Sequence, residues 1–501
     1  MRVLFVTSEI YPLAKTGGLA DVSQALPAAL ARQGVDIQLM MPAYRGTLDL
    51  VRGKRCVAVL DDLPGGEDVR LVRARTPDND LPVWLVDCPA LYDRDGGLYQ
   101  DASGADWPDN ARRFALLNHV AVRLGLGRTP VSWRPDVVHA NDWHAGLAPA
   151  LLAAQAPAEV RNGALPPASV FTIHNMAFHG AFEPGEVAHL ATPINPAELE
   201  FYGRASFLKG GIRFADRITT VSPTYAREIL SSGFGHGLDG LLRHRAHRLV
   251  GILNGVDYGI WNPAHDPALA QRYTAEDISG KRVCKAQLQE AYGLEVDPMV
   301  PLVAYMSRLT EQKMADCVLE ALDWIANQGA QFILVGQGDR ALEGGLRAAG
   351  DRLASVAIQI GYDEPSAHRL LAGADILLAP SRFEPCGLTQ LYALKYGTPP
   401  VVSNTGGLAD TVVNANEKTM ADESANGFVF DRLDTAGLIE WLDRALDAFG
   451  YPLSWRRLQV QAITADFSWR ASARRYLSLY QGAAGVEETL ATRPAIRQAA
   501  I

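Results

Sequence analysis

Residues 1–42 read MRVLFVTSEI YPLAKTGGLA DVSQALPAAL ARQGVDIQLM MP. The apolar run Val3–Val6 leads into a loop through Gly17 and Gly18, and apolar residues then recur at helical spacing (Leu19, Val22, Leu26, Ala29, Leu30). Gly34 reads as a helix stop, and Val35–Met41 is a second apolar run. Uninterrupted apolar run, 3.6-residue period, apolar run is the pattern of a β-α-β unit. Further strands are expected to end at Val138-His139, Phe171-Thr172-Ile173, Thr219-Thr220-Val221 and Val250–Leu253, each followed by Gly, Asn, Asp or Ser. A second alternating series begins at Leu302–Met306 and continues through Phe332–Val335, Ala357–Ile360, Ile376–Ala379 and Pro400–Ser403. The fold class is therefore α/β, with two doubly wound, Rossmann-like domains facing across a cleft. Residues 1–256 form the first and 257–466 the second, with a hinge near the start of the polar, Pro-containing stretch 257–277. Residues 467–501 are expected to form a terminal helix packing back on the first domain, plus a tail that looks dispensable from about Ala483.

The chain has 501 residues, 48% of them apolar, which is enough for two substantial cores. Lys and Arg total 47 against 56 Asp and Glu, a net charge of -9, so no global basic field exists to hold a nucleic acid. The five cysteines are scattered and lack C-x-x-C spacing, which argues against a disulfide framework or a zinc site and fits a reducing, cytoplasmic compartment. No window of about 18 uninterrupted apolar residues suggests a membrane span, and the first ten residues read as a strand rather than a signal peptide.

Charged and polar residues gather where strands should end. Lys15 stands just before a Gly-rich loop entering a helix, where backbone amides and a cation meet an anion such as a diphosphate; the alternative is a surface lysine beside a turn. Arg308 and Lys313 follow the strand Leu302–Met306 and offer a fork and a mobile charge to phosphate oxygens, although loop cations are commonly just solvated. In Arg382-Phe383-Glu384-Pro385-Cys386-Gly387-Leu388-Thr389, amides of Gly387, Leu388 and Thr389 open a helix beside Glu384, an anion or sugar site. A buried Cys386 is by default a packing residue. Three polar clusters (His139–His144, Thr172–Asn175, Asn254–Asp257) supply the short donors and acceptors that sugar hydroxyls need, with Trp143 or Tyr92 offering a flat apolar face. His139, Asp142 and His144 lack metal-site spacing. Gly336-Gln337-Gly338-Asp339-Arg340-Ala341 matches a dinucleotide fingerprint, but it follows the second strand of its series and reads as an ordinary turn. TGGLAD occurs twice, at Thr16–Asp21 and Thr405–Asp410.

Taken together, these segments resemble the bacterial glycogen synthase and plant starch synthase family over nearly the whole chain, Met1 to about Tyr480. The carrying motifs are KTGGLADV (Lys15–Val22), NDWHAG (Asn141–Gly146), TIHN (Thr172–Asn175), TVSPTYA (Thr220–Ala226), NGVD (Asn254–Asp257), SRLT-x-QK (Ser307–Lys313), PSRFEPCGLTQ (Pro380–Gln390) and TGGLADTV (Thr405–Val412). The resemblance implies a GT-B architecture and retaining transfer of glucose from ADP-glucose to an α-1,4-glucan, with no cofactor or metal. It implies that Lys15, Arg308 and Lys313, with the Gly18 amide, bind the donor diphosphate, that His174, Asp142 and Asn254 contact the glucose, and that Glu384 sits at the sugar. The candidate catalytic set is then Glu384, Arg308, Lys313, His174 and Lys15, and the candidate substrate-binding set Gly18, Asp21, Tyr92, Asp142, Asn254, Cys386, Gly387, Leu388 and Thr389. Three departures stand out: Met314 where relatives usually carry Gly, Asn404 where many carry Arg, and Tyr392 in place of the second Glu of related E-x7-E transferases. Other readings are a UDP-glucose enzyme, a non-catalytic glucan- or nucleotide-binding protein, and a dehydrogenase resting on the Gly336 turn.

Overall fold

A computed structural model describes residues 1–485. The chain divides into two compact units. Of the described residues, 1–221, 226–253 and 469–485 form the first; 222–225 and 254–468 form the second. The crossing thus falls at 253/254 rather than at 256/257, and Asn254 belongs to the second unit. The tail expected beyond Ala483 lies, from residue 486, outside the described residues.

The first unit is built on a nine-stranded sheet in the order Leu249–Gly251, Arg217–Thr220, Ala168–Ile173, Val137–Asn141, Arg2–Val6, Asp36–Pro42, Pro82–Asp87, Val69–Arg75, Arg52–Leu60. The first seven are mutually parallel, and the last two run antiparallel at one edge. Helices cover both faces of a parallel sheet, which is why Val3, Leu4, Phe5 and Val6 are all fully buried. The opening unit forms as its periodicity predicts: strand Arg2–Val6, helix Gly18–Ala31, Gly34 in the left-handed region at φ 84°, then Asp36–Pro42 in parallel register with Val3 opposite Ile37. The antiparallel edge strands were not among the expected strands. Val69–Arg75 mixes buried and exposed positions and Arg52–Leu60 is exposed through its first five residues, so neither presents the continuous apolar run of a buried strand.

The terminal helix Trp469–Gly485 lies in the first unit against the helix Gly18–Ala31. Tyr476 and Tyr480 are buried, the Tyr480 hydroxyl meets His139 Nδ1 at 2.7 Å, and Ser472 Oγ donates to Leu253 O at 2.5 Å.

The second unit holds a six-stranded, all-parallel sheet in the order Val356–Ile360, Gln331–Gly336, Leu302–Met306, Ile376–Ala379, Pro400–Ser403, Phe428–Phe430. The sixth strand, only three residues long, was not expected. The stretch 257–277 is packed onto this unit. Trp261 lies flat between His368 (3.8 Å) and Tyr392 (4.0 Å), and the Tyr273 hydroxyl donates to Tyr396 O at 2.8 Å. Tyr392 is thus a member of an aromatic stack.

In each sheet the strand order reverses about the first strand: the chain builds outward on one side of Arg2–Val6 from Asp36–Pro42 and on one side of Leu302–Met306 from Gln331–Gly336, then returns to the other side at Val137–Asn141 and at Ile376–Ala379. At such a switch point the following loops diverge above and below the sheet and leave a crevice at the strand's carboxyl end. The loop bearing Lys15 leaves one switch-point strand, and the loop bearing Arg308 and Lys313 leaves the other. Among the described residues no helix is long and apolar enough to cross a membrane.

Candidate active site

In the first unit, the Lys15 loop is organised by a buried carboxylate that the sequence reading passed over. Glu9 accepts from the Thr16 amide and the Thr16 hydroxyl, both at 2.6 Å, from the Gly17 amide at 3.2 Å, and from the Tyr99 hydroxyl. Two of the amides expected to face a substrate anion are therefore already occupied. The Gly18 amide makes no hydrogen bond among the described residues and is left at the opening turn of the helix. Lys15 Nζ pairs with Asp21 Oδ1 at 2.7 Å, both side chains about one-third exposed. A surface pair of this kind contributes little to stability, so the lysine is readily released to another anion.

The strand end at Asn141 carries the strongest functional signature of this unit. Asp142 adopts φ 58°, ψ −178°, a conformation that non-glycine residues enter only under constraint. Burial pushes its carboxyl up to about 8, against opposing donation from the backbone N–H groups of Trp143, His174 and Asn175. Its Oδ1 is buried with no hydrogen-bond partner among the described residues. His174 Nε2 meets Asn141 Oδ1 at 3.1 Å, and burial lowers its pKa to about 3, so the imidazole is neutral. His144 is stacked between Trp143 (3.9 Å) and Tyr99 (4.5 Å), and among the described residues neither ring nitrogen has a partner. Buried polar atoms without a protein partner at a strained strand end mark a candidate ligand-binding position. His139, by contrast, is core: its nitrogens meet Tyr480 OH at 2.7 Å and Thr172 Oγ1 at 2.6 Å.

Tyr92 requires correction. It is 2% exposed, and its hydroxyl donates to Arg113 O at 2.5 Å, so it offers no ring face to a sugar. Tyr99, seven residues on, is the partly exposed tyrosine beside Trp143 and Glu9. The two residues sit in the same loop-rich segment, and sequence pattern carries no signal that separates them.

In the second unit, two loops are fastened together. The Arg382 amide donates to Gln312 O at 2.8 Å, Gln312 Nε2 donates to Phe383 O at 3.1 Å, and Arg382 grips Asp316 with both terminal nitrogens (2.9 and 2.6 Å). This brings Lys313 Nζ onto Glu384 Oε2 as an ion pair, which Ser381 Oγ joins at 3.1 Å. The Arg308 side chain is exposed and, among the described residues, makes one long contact, with Gln312 at 3.5 Å. Its turn is laid against the Gly336–Asp339 turn: the Leu309 amide donates to Gln337 O at 2.9 Å, and a β-carbon on Gly338 would stand 2.3 Å from Leu309 O. Those glycines thus serve close packing, and Asp339 caps the helix Arg340–Arg352.

The Cys386 side chain is turned inward, 3% exposed; burial pushes its thiol up to about 12, and the Asn254 amide donates to it. The side chain therefore packs, as a buried cysteine does by default. Asn254 was expected in the first domain but stands beside Cys386 in the second unit, its Oδ1 buried and unpartnered among the described residues. Among the described residues the amides of Gly387, Leu388 and Thr389 make no hydrogen bond. Met314 takes φ 50°, ψ 32° with its side chain fully buried, immediately after Lys313, and Asn404 Nδ2 donates to Asp431 Oδ1 at 2.7 Å.

Comparison with known proteins places this arrangement. Residues 2–244 match the family described as starch synthase catalytic domain, and residues 292–449 match glycosyl transferases group 1. The chain is 50% identical over 491 residues to the glycogen synthase of Paramagnetospirillum magneticum, covering 97% of this chain and 98% of that protein. It is 50% identical over 484 residues to the glycogen synthase of Burkholderia thailandensis, covering 95% and 90%. The catalytic domain of starch synthase IV from Arabidopsis thaliana, solved bound to ADP and acarbose, superimposes with a TM-score of 0.86 at 30% identity, covering 97% of this chain and 99% of that one. Sucrose-phosphate synthase from Thermosynechococcus elongatus shares the fold, with a TM-score of 0.57 at 17% identity over 96% and 98%. Two parallel-sheet α/β units, each with charged loops at its switch point, and half of all residues shared with glycogen synthases along nearly the entire sequence, lead to one assignment: the chain belongs to the glycogen synthase and starch synthase family of GT-B glycosyltransferases and is a hexosyltransferase.

Proposed function

We propose that this enzyme transfers glucose from ADP-glucose to the non-reducing-end 4-OH of an α-1,4-glucan with retention at the anomeric carbon. In this reading Lys15, Arg308 and Lys313, with the Gly18 amide, serve the donor diphosphate. His174, Asp142 and Asn254 serve the glucose, and Glu384 stands at the sugar. Asp21 holds Lys15 until the donor arrives, and the amides of Gly387, Leu388 and Thr389 supply further donors. The acceptor oxygen bonds to C1 as the C1–O bond to the diphosphate breaks, and the acceptor proton passes to a diphosphate oxygen, releasing ADP. In this reading charge growing on the leaving group is met by Lys15, Arg308 and Lys313, and electrostatic stabilisation of this kind contributes most.

The observation that carries this reading is the Lys313–Glu384 pair, with a cation for the leaving group and a carboxylate for the sugar held on two interlocked loops. It is supported by the likeness to a starch synthase that binds ADP and acarbose. Neutral His174 suits hydrogen bonding to a hydroxyl, and protonated Asp142 has a proton to donate to one. In this reading the enzyme works in the cytoplasm, a reducing compartment that its five scattered, unbridged cysteines suit. The test is ADP release from ADP-glucose with and without glycogen, run beside UDP-glucose; faster turnover of UDP-glucose, or none with glycogen present, overturns the reading.

A further inference from the structure

Arg113 is 1% exposed and forms no ion pair among the described residues. Taking a guanidinium out of water without a carboxylate partner is unfavourable unless other groups compensate. Here Nε donates to Leu91 O at 2.9 Å, and Nη1 donates to Leu98 O at 2.9 Å and to Asn110 Oδ1 at 2.7 Å. The rings of Tyr44, Tyr92, Trp107 and Phe114 lie 5.9, 5.8, 5.9 and 5.6 Å from the charge, within cation–π reach.

What this buried cation holds is the backbone on either side of Tyr99. Leu98 O is bound by Arg113 itself. Tyr99 O accepts from Asn110 Nδ2 at 2.9 Å, the same amide whose oxygen faces Arg113, and from the Trp107 amide at 3.0 Å. With its backbone fixed at both ends, the Tyr99 side chain reaches Ser8 Oγ at 2.7 Å and donates to Glu9. Glu9 in turn binds the Thr16 and Gly17 amides, between Lys15 and Gly18. Every link lies in the first unit.

We propose that Arg113 is a positioning residue for the donor-binding loop, acting through Tyr99 and Glu9 to set Lys15 and the Gly18 amide. The proposal rests on the reading that this loop takes the donor diphosphate. Lysine keeps the charge but lacks the planar fork that reaches Leu91, Leu98 and Asn110 together.

The experiment is a double-mutant cycle on Arg113→Lys and Tyr99→Phe, with KM measured separately for ADP-glucose and for glycogen. Each single variant should raise the ADP-glucose KM by about tenfold, the scale on which outer-shell partners act, and leave the glycogen KM unchanged. The double variant should be no worse than the worse single, because both cut one relay. Multiplying effects, or equal damage to both KM values, overturn the proposal. If Arg113→Lys shows no folding transition, Asn110→Ala replaces it in the same cycle. If the wild-type enzyme releases no ADP from ADP-glucose, the functional reading fails by itself; the relay is then read from ADP affinity by calorimetry, where additive losses overturn it.

Discussion

A β-carbon placed on Gly406 would stand 1.8 Å from the carbonyl oxygen of Glu384, with backbone φ at 43°. One residue on, a β-carbon on Gly407 would stand 2.2 Å from Cys386 O, and the Gly407 amide donates to Glu384 O at 3.1 Å. The second TGGLAD segment is therefore the bed on which the Glu384 loop rests. Gly406→Ala should displace that loop and lower kcat/KM on the order of 10²-fold, the scale of a 1 Å misplacement. Gly17 has nothing within 4 Å of its β-position and an extended φ of −157°. Gly17→Ala should therefore leave the melting temperature near wild type while Gly406→Ala lowers it; equal melting temperatures for the two variants would contradict the crowding argument.

Lys313 and Glu384 form a partly buried ion pair. Lys313→Ala should lower kcat on the order of 10²-fold or more, about 3 kcal/mol of barrier. Because Glu384→Gln disturbs the same pair, the double variant should lose less than the product of the single losses. Steady-state kinetics of the four proteins decide it, and wild-type kcat in Lys313→Ala ends the electrostatic account.

Asp142 carries its stability effect in the unusual direction. Its folded pKa, raised by burial from 3.8 to about 8, means that the unfolded chain releases this proton first as pH rises. The group's stabilising contribution is whole below about pH 4 and is lost as pH climbs to about 8. Asp142→Asn should therefore raise the melting temperature at pH 7.5 by on the order of 3 °C, leave it little changed near pH 4, and still impair turnover. Melting scans at the two pH values check the sign.

His139 and His174 are held near pKa 3 and His144 well below its ordinary value, in each case chiefly by burial. The pH dependence of kcat/KM should show no histidine inflection near about 6.5. A clear bend there, abolished by His174→Ala, would mean that the imidazole titrates in the working enzyme.

Met314 sits in the left-handed region with its side chain fully buried. Met314→Gly relieves about 1 kcal/mol of backbone strain but empties a core position, a loss of roughly 2–5 kcal/mol. The net should be a destabilisation of about 2 kcal/mol in urea titration; a more stable glycine variant would show that strain outweighs packing.

The two TGGLAD segments show where sequence stops. Both are read correctly as a turn into a helix after a buried strand, because apolar runs and helical periods are local properties that the chain itself dictates. The same locality made the strands Leu302–Met306, Ile376–Ala379 and Pro400–Ser403 legible to the residue. Identical letters then take different partners. Asp21 pairs with Lys15, whereas Asp410 accepts from the amide and hydroxyl of Thr224, both at 2.7 Å. Gly17 faces open space, and Gly406 faces Glu384. Motif residues such as Lys313 and Glu384 could be named from the chain, but not their ion pair across 71 positions. Nor could Glu9 as the resident anion of the Lys15 loop, or Tyr99 rather than Tyr92 as the partly exposed ring. Side-chain partnership and burial depend on which distant segments the sheets bring together, and only the packed structure decides that.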